Sequence, residues 1–186
     1  MATLGLTSTG TVSQGVSGDS EEAWYIGQMP VGSTLTSITV DLDAIIDTVP
    51  IAAKVGILSG PDAGVSAPTT LIAEVERTNL SGRAQYTFTA AGETLPNGAF
   101  LWIVVAKPPV AFTGLLVYQD ATTALTSRTA GITYPTLDPN PTSSFANLNI
   151  ISGYITYGVA TPSGSLLIRP RGFGGGIQGL PGGMNS

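Results

Sequence analysis

A chain of 186 residues, 42% apolar and only 10% charged, can bury one substantial core but has few charges to hold it apart from its neighbours. Its formal net charge of −5 argues against nucleic-acid binding by the body, because phosphate contacts need clustered Lys and Arg. The chain has no Cys and no His, which excludes disulfides, thiolate and His-ligated metal sites, and nucleophiles activated by His.

Thr, Ser, Gly and Pro fill the share that charges leave, which is the composition of strands and turns. Residues 1–5 show no basic region and no long apolar run, so no signal peptide is read. No apolar stretch reaches the roughly 20 residues that a helix needs to cross a bilayer, and no membrane partner is expected.

Residues 1–20 offer little to bury beyond Leu4, Leu6, Val12 and Val16, and read as an extended N-terminal arm or one edge strand. Residues 22–28 form a first strand, with Trp24 and Ile26 on one face and Ala23, Tyr25 and Gly27 on the other. Residues 35–43 alternate clearly: Ile38, Val40 and Leu42 inward, Thr39, Asp41 and Asp43 outward. Strands follow at 53–58, 71–77 and 84–89, separated by turn signals such as Gly60-Pro61-Asp62. Within 71–77, Leu71, Ala73 and Val75 are expected on one face and Ile72, Glu74 and Glu76 on the other.

The run Phe100-Leu101-Trp102-Ile103-Val104-Val105-Ala106 is apolar on both faces and bounded by Pro96-Asn97-Gly98 and Pro108-Pro109. It reads as a central strand covered on both sides. Another strand is expected at 115–119, then a long surface loop over 120–144, then a closing strand within 150–159. Strands at hairpin spacing with no amphipathic helix between them indicate an antiparallel sandwich or barrel. Three parts result: the arm 1–20, a β-sandwich body 21–160, and a Gly/Pro-rich C-terminal arm 161–186.

That last part differs in material. It is mostly Gly after Arg171 and carries two Arg and no acidic residue. Leu166, Leu167 and Ile168 have the makings of one added strand, and Arg169 and Arg171 of partners for acidic groups on a neighbour. The whole is read as an assembly arm.

Candidate chemistry is sparse. Asp41 with Asp43, and Glu74 with Glu76, are carboxylate pairs at i, i+2, placed by alternation on solvent-facing polar sides of strands. Asp62 and Asp138 lie in loops without the spacing of a calcium loop. Gly174-Gly175-Gly176-Ile177-Gln178-Gly179 fits a dinucleotide-binding pattern in form but lacks the strand, helix and acid it needs. Tyr134, beside Pro135 in the long loop, is the aromatic expected to be exposed and the candidate glycan contact. No catalytic residue, metal ligand or cofactor is expected.

From about Trp24 to Val117 the order of elements resembles bacterial jelly-roll domains named for their variable cell-surface anchors ("choice-of-anchor" domains). The segments that carry the resemblance are Gly32-Ser33-Thr34-Leu35-Thr36-Ser37-Ile38-Thr39-Val40, Val55-Gly56-Ile57-Leu58-Ser59, Pro68-Thr69-Thr70-Leu71-Ile72-Ala73, Tyr86-Thr87-Phe88-Thr89-Ala90 and residues 94–105. They cover about half the chain. Similar domains occur in bacteriophage virion proteins, and neither the signal peptide nor the anchor of the secreted members is expected for this chain. The resemblance implies an all-β, jelly-roll-like antiparallel β-sandwich.

The expectation that follows is a non-enzymatic structural protein of a bacteriophage virion, a capsid decoration or fibre-base protein that assembles through its termini. Its expected partners are copies of itself, with a trimer foremost, and other virion proteins such as the major capsid protein. The alternatives are a tail or neck component and a carbohydrate-binding module of a surface protein, with a glycan as ligand. A glycan-cleaving enzyme ranks last.

Overall fold

The computed structural model describes residues 1–45, 51–63, 65–90, 92–109, 114–120, 127–145 and 149–159. Among them the chain forms strands β1 (Ala2–Gly5), β2 (Val12–Val16), β3 (Ser20–Gln28), β4 (Ser33–Ile45), β5 (Ile51–Gly60), β6 (Thr70–Leu80) and β7 (Gly82–Thr89). These are followed by β8 (Thr94–Leu95), β9 (Phe100–Ala106), β10 (Gly114–Asp120), β11 (Ser127–Gly131), β12 (Ser143–Phe145), β13 (Ile150–Ile151) and β14 (Gly153–Val159). No helix occurs among the described residues.

The strands make two antiparallel sheets packed as a sandwich. One runs β12-β11-β3-β9-β5-β6. The other is built around the long strand β4, flanked by β14 and β10 on one side and by β7 and β8 on the other; β1 extends it beyond β14, and β2 and β13 pair with β10. Alternation decides the faces. Ile38, Val40 and Leu42 of β4, Phe88 of β7 and Leu115 and Val117 of β10 meet Trp24, Val55, Ile57, Leu101, Ile103 and Val105 from the other sheet in one core. All of these side chains are essentially excluded from water, which is the dominant stabilising contribution in a fold without disulfides or helices.

β9 is central, paired to β3 on one side and β5 on the other, and Leu101 to Ala106 are all 0% exposed. The segment 1–20 differs from a free arm. β1 pairs with β14, and β2 pairs with β10, so both halves are absorbed into the β4-centred sheet. The stretch expected as one long loop over 120–144 contains β11 and the start of β12, which continue the other sheet beyond β3. The arm 161–186, with Leu166, Leu167, Ile168, Arg169 and Arg171, lies outside the described residues.

Irregularities set the exact faces. In β6 the register slips between the pairs Ile57↔Ala73 and Leu58↔Leu71, so Ile72 is an extra residue. That bulge moves Leu71 to the outer face, against the simple alternation, and turns Ile72 towards the core. A second bulge in β3 uses Gly27 at φ 137, where only Gly is at ease and where Leu4 of β1 approaches to 3.0 Å of a notional Cβ.

Candidate functional site

Both sheets would present a polar outer face if alternation were the whole account. Neither does: each outer face is crossed by a segment from elsewhere in the chain, and the candidate carboxylates lie beneath or beside these straps.

On the β4-centred sheet the strap is the connection from β1 to β2. Leu6 N–H donates to Gly153 O, Ser152 Oγ to Ser8 O and Gln85 Nε2 to Thr7 O. Gly10 lies over Asp41: its N–H donates to Asp41 Oδ2 at 3.0 Å, and Thr11 N–H donates to Gln119 O. Arg83, diagonal to Asp41 across the β4–β7 ladder, completes the clasp. Its Nη2 donates to Asp41 Oδ2 at 2.8 Å and to Gly10 O at 2.6 Å, and its guanidinium stacks 3.4 Å from the centre of the Tyr118 ring. Asp41 is therefore 1% exposed, not a solubilising surface group, and its hydrogen bond to Arg83 holds the guanidinium even more firmly protonated. Asp43, its neighbour at i+2, stays half-buried opposite Arg83 and acts on the guanidinium through its charge.

On the six-stranded sheet the strap is the segment after β11. Ala23, Leu58, Trp102, Val104 and Ala106 form a second apolar cluster on the outer face, capped by Leu137 and flanked by Tyr25, Leu71, Ile132 and Tyr134. This explains why β9 is apolar on both sides. Gly56 supplies the seat: a Cβ there would lie 2.8 Å from Leu137 Cδ1 and 2.8 Å from Ala73 O. Polar tethers hold the strap at both ends. Lys54 Nζ donates to Pro135 O at 2.7 Å and to Glu74 Oε1 at 2.8 Å. Tyr134, preceding a cis proline, donates its hydroxyl to Glu76 Oε1 at 2.8 Å. Asp138 N–H donates to Glu21 Oε2 at 3.0 Å.

Tyr134 is accordingly half-buried, with its ring on the apolar cluster and its hydroxyl engaged, rather than free on a loop. Burial and the bond to Glu76 push that hydroxyl well above the usual phenol range. Glu74 and Glu76 do not converge on a cleft as an acid pair; each ties a different residue of strap or sheet. Asp62 turns its oxygens onto its own loop, accepting from Val65 N, Ser66 N and Ser66 Oγ. Asp138 Oδ1 accepts from Asn140 N. Among the described residues no three acidic side chains gather as metal ligands would.

Two carboxylates that the sequence reading passed over are the most perturbed. Glu21 faces outward beneath the strap at 0% exposure, and burial together with the Asp138 charge lifts it to about 7 against the backbone bond that lowers it. Glu22, on the inward face, is lifted to about 7 by burial, opposed by a hydrogen bond with Gln14. A shallow cleft of about 440 Å³ opens along the strap, lined by residues 131–133 and 136–139. Beside the second cluster, Tyr25 and Phe100 lie half-buried on the same face with ring centres 6.4 Å apart.

No protein-family model matches the chain, and no curated protein matches it.

Proposed function

We propose that the chain is a non-enzymatic structural protein of a virus particle of the bacteriophage kind, a capsid decoration or fibre-base subunit that assembles through its C-terminal segment. The observation that carries the reading is how the carboxylates are spent. Asp41, Glu21, Glu74 and Glu76 each fasten one part of the fold to another. The body is a strapped sandwich in which polar chemistry serves cohesion, and the resemblance of its element order to bacterial "choice-of-anchor" jelly-roll domains, a kind that also occurs in bacteriophage virion proteins, supports the reading. The low charge and the basic, Gly-rich segment 161–186 fit a subunit that is held by neighbours, with copies of itself in a trimer and the major capsid protein beneath.

The test is direct. Particles from the source culture, banded on a density gradient, should contain the chain in fixed proportion to the major capsid protein. Removal of residues 165–186 should leave the melting temperature of the body unchanged and abolish incorporation. A chain found only outside particles, or a truncated chain that incorporates normally, overturns the reading.

A carbohydrate-binding module is the second reading, favoured by the half-buried Tyr25–Phe100 pair, whose Tyr25 packs on the apolar cluster that Leu137 caps. Glycan-array binding lost in Tyr25→Ala would select it.

A further inference from the structure

β6 ends the six-stranded sheet, and among the described residues no strand pairs with its far side. Such an edge invites uncontrolled pairing, and this one is blunted in a specific way. The bulge at Ile72 interrupts it at one end. At the other, the register slips between Ala53↔Arg77 and Ile51↔Leu80, where Asn79 sits at φ 62. Between the two interruptions runs a regular ladder, Ala73 to Arg77, of five residues. A long strand is refused; a short guest fits.

The guest's chemistry can be read from the two faces of that window. Glu74 and Glu76 project from the outer face, both exposed. Lys54 bonds Oε1 of Glu74 and Tyr134 bonds Oε1 of Glu76, and among the described residues no partner is seen for Oε2 of either. Arg77 is turned away, onto Thr87 O and the Tyr86 ring, so it does not confront an incoming cation. On the inner face Val75 is only half-buried against the core. The fitting guest is a short strand with apolar residues on one side and arginine on the other.

The chain itself contains that strand. Within 161–186 the longest run free of Gly and Pro is Ser165-Leu166-Leu167-Ile168-Arg169, five residues between Gly164 and Pro170. Alternation places Leu166 and Ile168 on one face and Leu167 and Arg169 on the other. Proline has no N–H to donate, so pairing stops at Pro170. Charge is complementary too: all twelve acidic residues and five of the seven basic ones lie in 1–160, while 161–186 contributes Arg169 and Arg171 alone.

We infer that the edge of β6 over Ala73 to Arg77 receives the 165–169 segment of a second copy, stepped so that Ile168 lies opposite Val75 and Arg169 opposite Glu74 or Glu76, with Arg171 beyond the paired residues adding to the attraction. The inference rests on the assembly reading above and names its acceptor. A contact of one copy's tail with the next copy's edge is head-to-tail, the kind that closes into a ring when the rotation between copies allows it. Backbone hydrogen bonds supply affinity, and the charge-assisted pairs fix register.

The experiment uses the full-length chain at micromolar concentration in sedimentation velocity, with melting temperatures confirming that each variant folds. Glu74→Lys with Glu76→Lys should weaken assembly about tenfold or more, the equivalent of one charge-assisted contact. Arg169→Glu with Arg171→Glu should do the same, and the four changes together should restore assembly. If the glutamate reversal leaves assembly intact while the arginine reversal abolishes it, the arm reading stands and the β6 edge is wrong. If neither reversal matters, or the parent chain is a monomer, the contact between copies is wrong, while the arm reading is decided by incorporation into particles. Loss in both without rescue in the combined variant also overturns the pairing.

Discussion

Arg83 holds Asp41 and the Gly10 carbonyl with the same nitrogen, at 2.8 and 2.6 Å, so one guanidinium joins β4, β7 and the N-terminal strap. Asp41 is buried and Arg83 is 39% exposed, which makes the pair asymmetric. Removing the arginine strands a carboxylate; removing the carboxylate releases a group that can turn to water. Arg83→Ala should destabilise the protein by about 3 kcal/mol, near the lower end of the cost of breaking a buried pair. Asp41→Asn should cost less. Urea titrations of both variants measure the difference, and the cleavage rate within residues 6–11 under limited proteolysis should rise in Arg83→Ala.

Gly10 makes a separate prediction about the same strap. A Cβ at that position would lie 2.5 Å from Gln119 N and 2.7 Å from Gln119 O, a clash with backbone that cannot move aside. Gly10→Ala should therefore detach the strap although it adds only one methyl. Hydrogen exchange at Thr11, whose N–H donates to Gln119 O, should accelerate in the variant and stay slow in the parent.

Leu137 is the plug of the second core, 2% exposed above Trp102 and Gly56. Leu137→Ala should cost about 2–4 kcal/mol, as buried leucine truncations do. Trp102 should also become accessible, seen as a red shift and increased acrylamide quenching of tryptophan emission. An unchanged emission spectrum would show that the strap stays closed without its plug.

Stability should fall as pH rises from 4.5 to about 7, because Glu21 and Glu22 have folded pKa values raised from 4.5 to about 7. Below 4.5 both groups are protonated in the folded and unfolded chain, and they contribute no pH dependence. Between 4.5 and 7 the unfolded chain releases protons that the folded chain keeps, so the unfolded state gains. Above 7 the loss is complete, up to about 3 kcal/mol per carboxylate. Glu21→Gln or Glu22→Gln should flatten the dependence when urea midpoints are compared across that range.

Tyr134→Phe should cost only about 1 kcal/mol, since Glu76 is exposed and regains water when the hydroxyl is gone. If Tyr134 were instead a glycan contact, the same variant would lose binding on an array with stability nearly unchanged.

The core was legible because it follows period two. The alternation of Ile38, Val40 and Leu42 and the double-faced run 100–106 give the two sheets and their central strand from residue types alone. The straps were not legible. Asp41 has the pattern of a solvent-facing residue, and only the path of residues 6–11, fixed by partners as far away in the chain as Asp41 itself and Gly153, turns it inward. Tyr134 was misplaced for the same reason, since its partner Glu76 is 58 residues away. Leu71 was assigned to the wrong face because a bulge leaves no mark in composition. Glu21 and Glu22 look like ordinary charges at the mouth of a strand. Their one signal was that two acids precede Trp24 on a strand whose opposite faces both lead to apolar clusters.

The pairing of β1 with β14 has a consequence for the order of events in making the protein. Gly5 pairs with Tyr154 and Ala2 with Tyr157, so these strands are about as far apart as the described chain allows. During synthesis at roughly 5–20 residues per second, the first segment must wait many seconds, without its partner, for the last to leave the ribosome. Closing so long a loop is entropically costly and makes folding slow, so β1 and the strap behind it should dock late, onto a sandwich already formed. The wait is tolerable because residues 1–11 carry little that would aggregate: of Ala2, Leu4 and Leu6, none adjoins another apolar residue except at the Met1–Ala2 end.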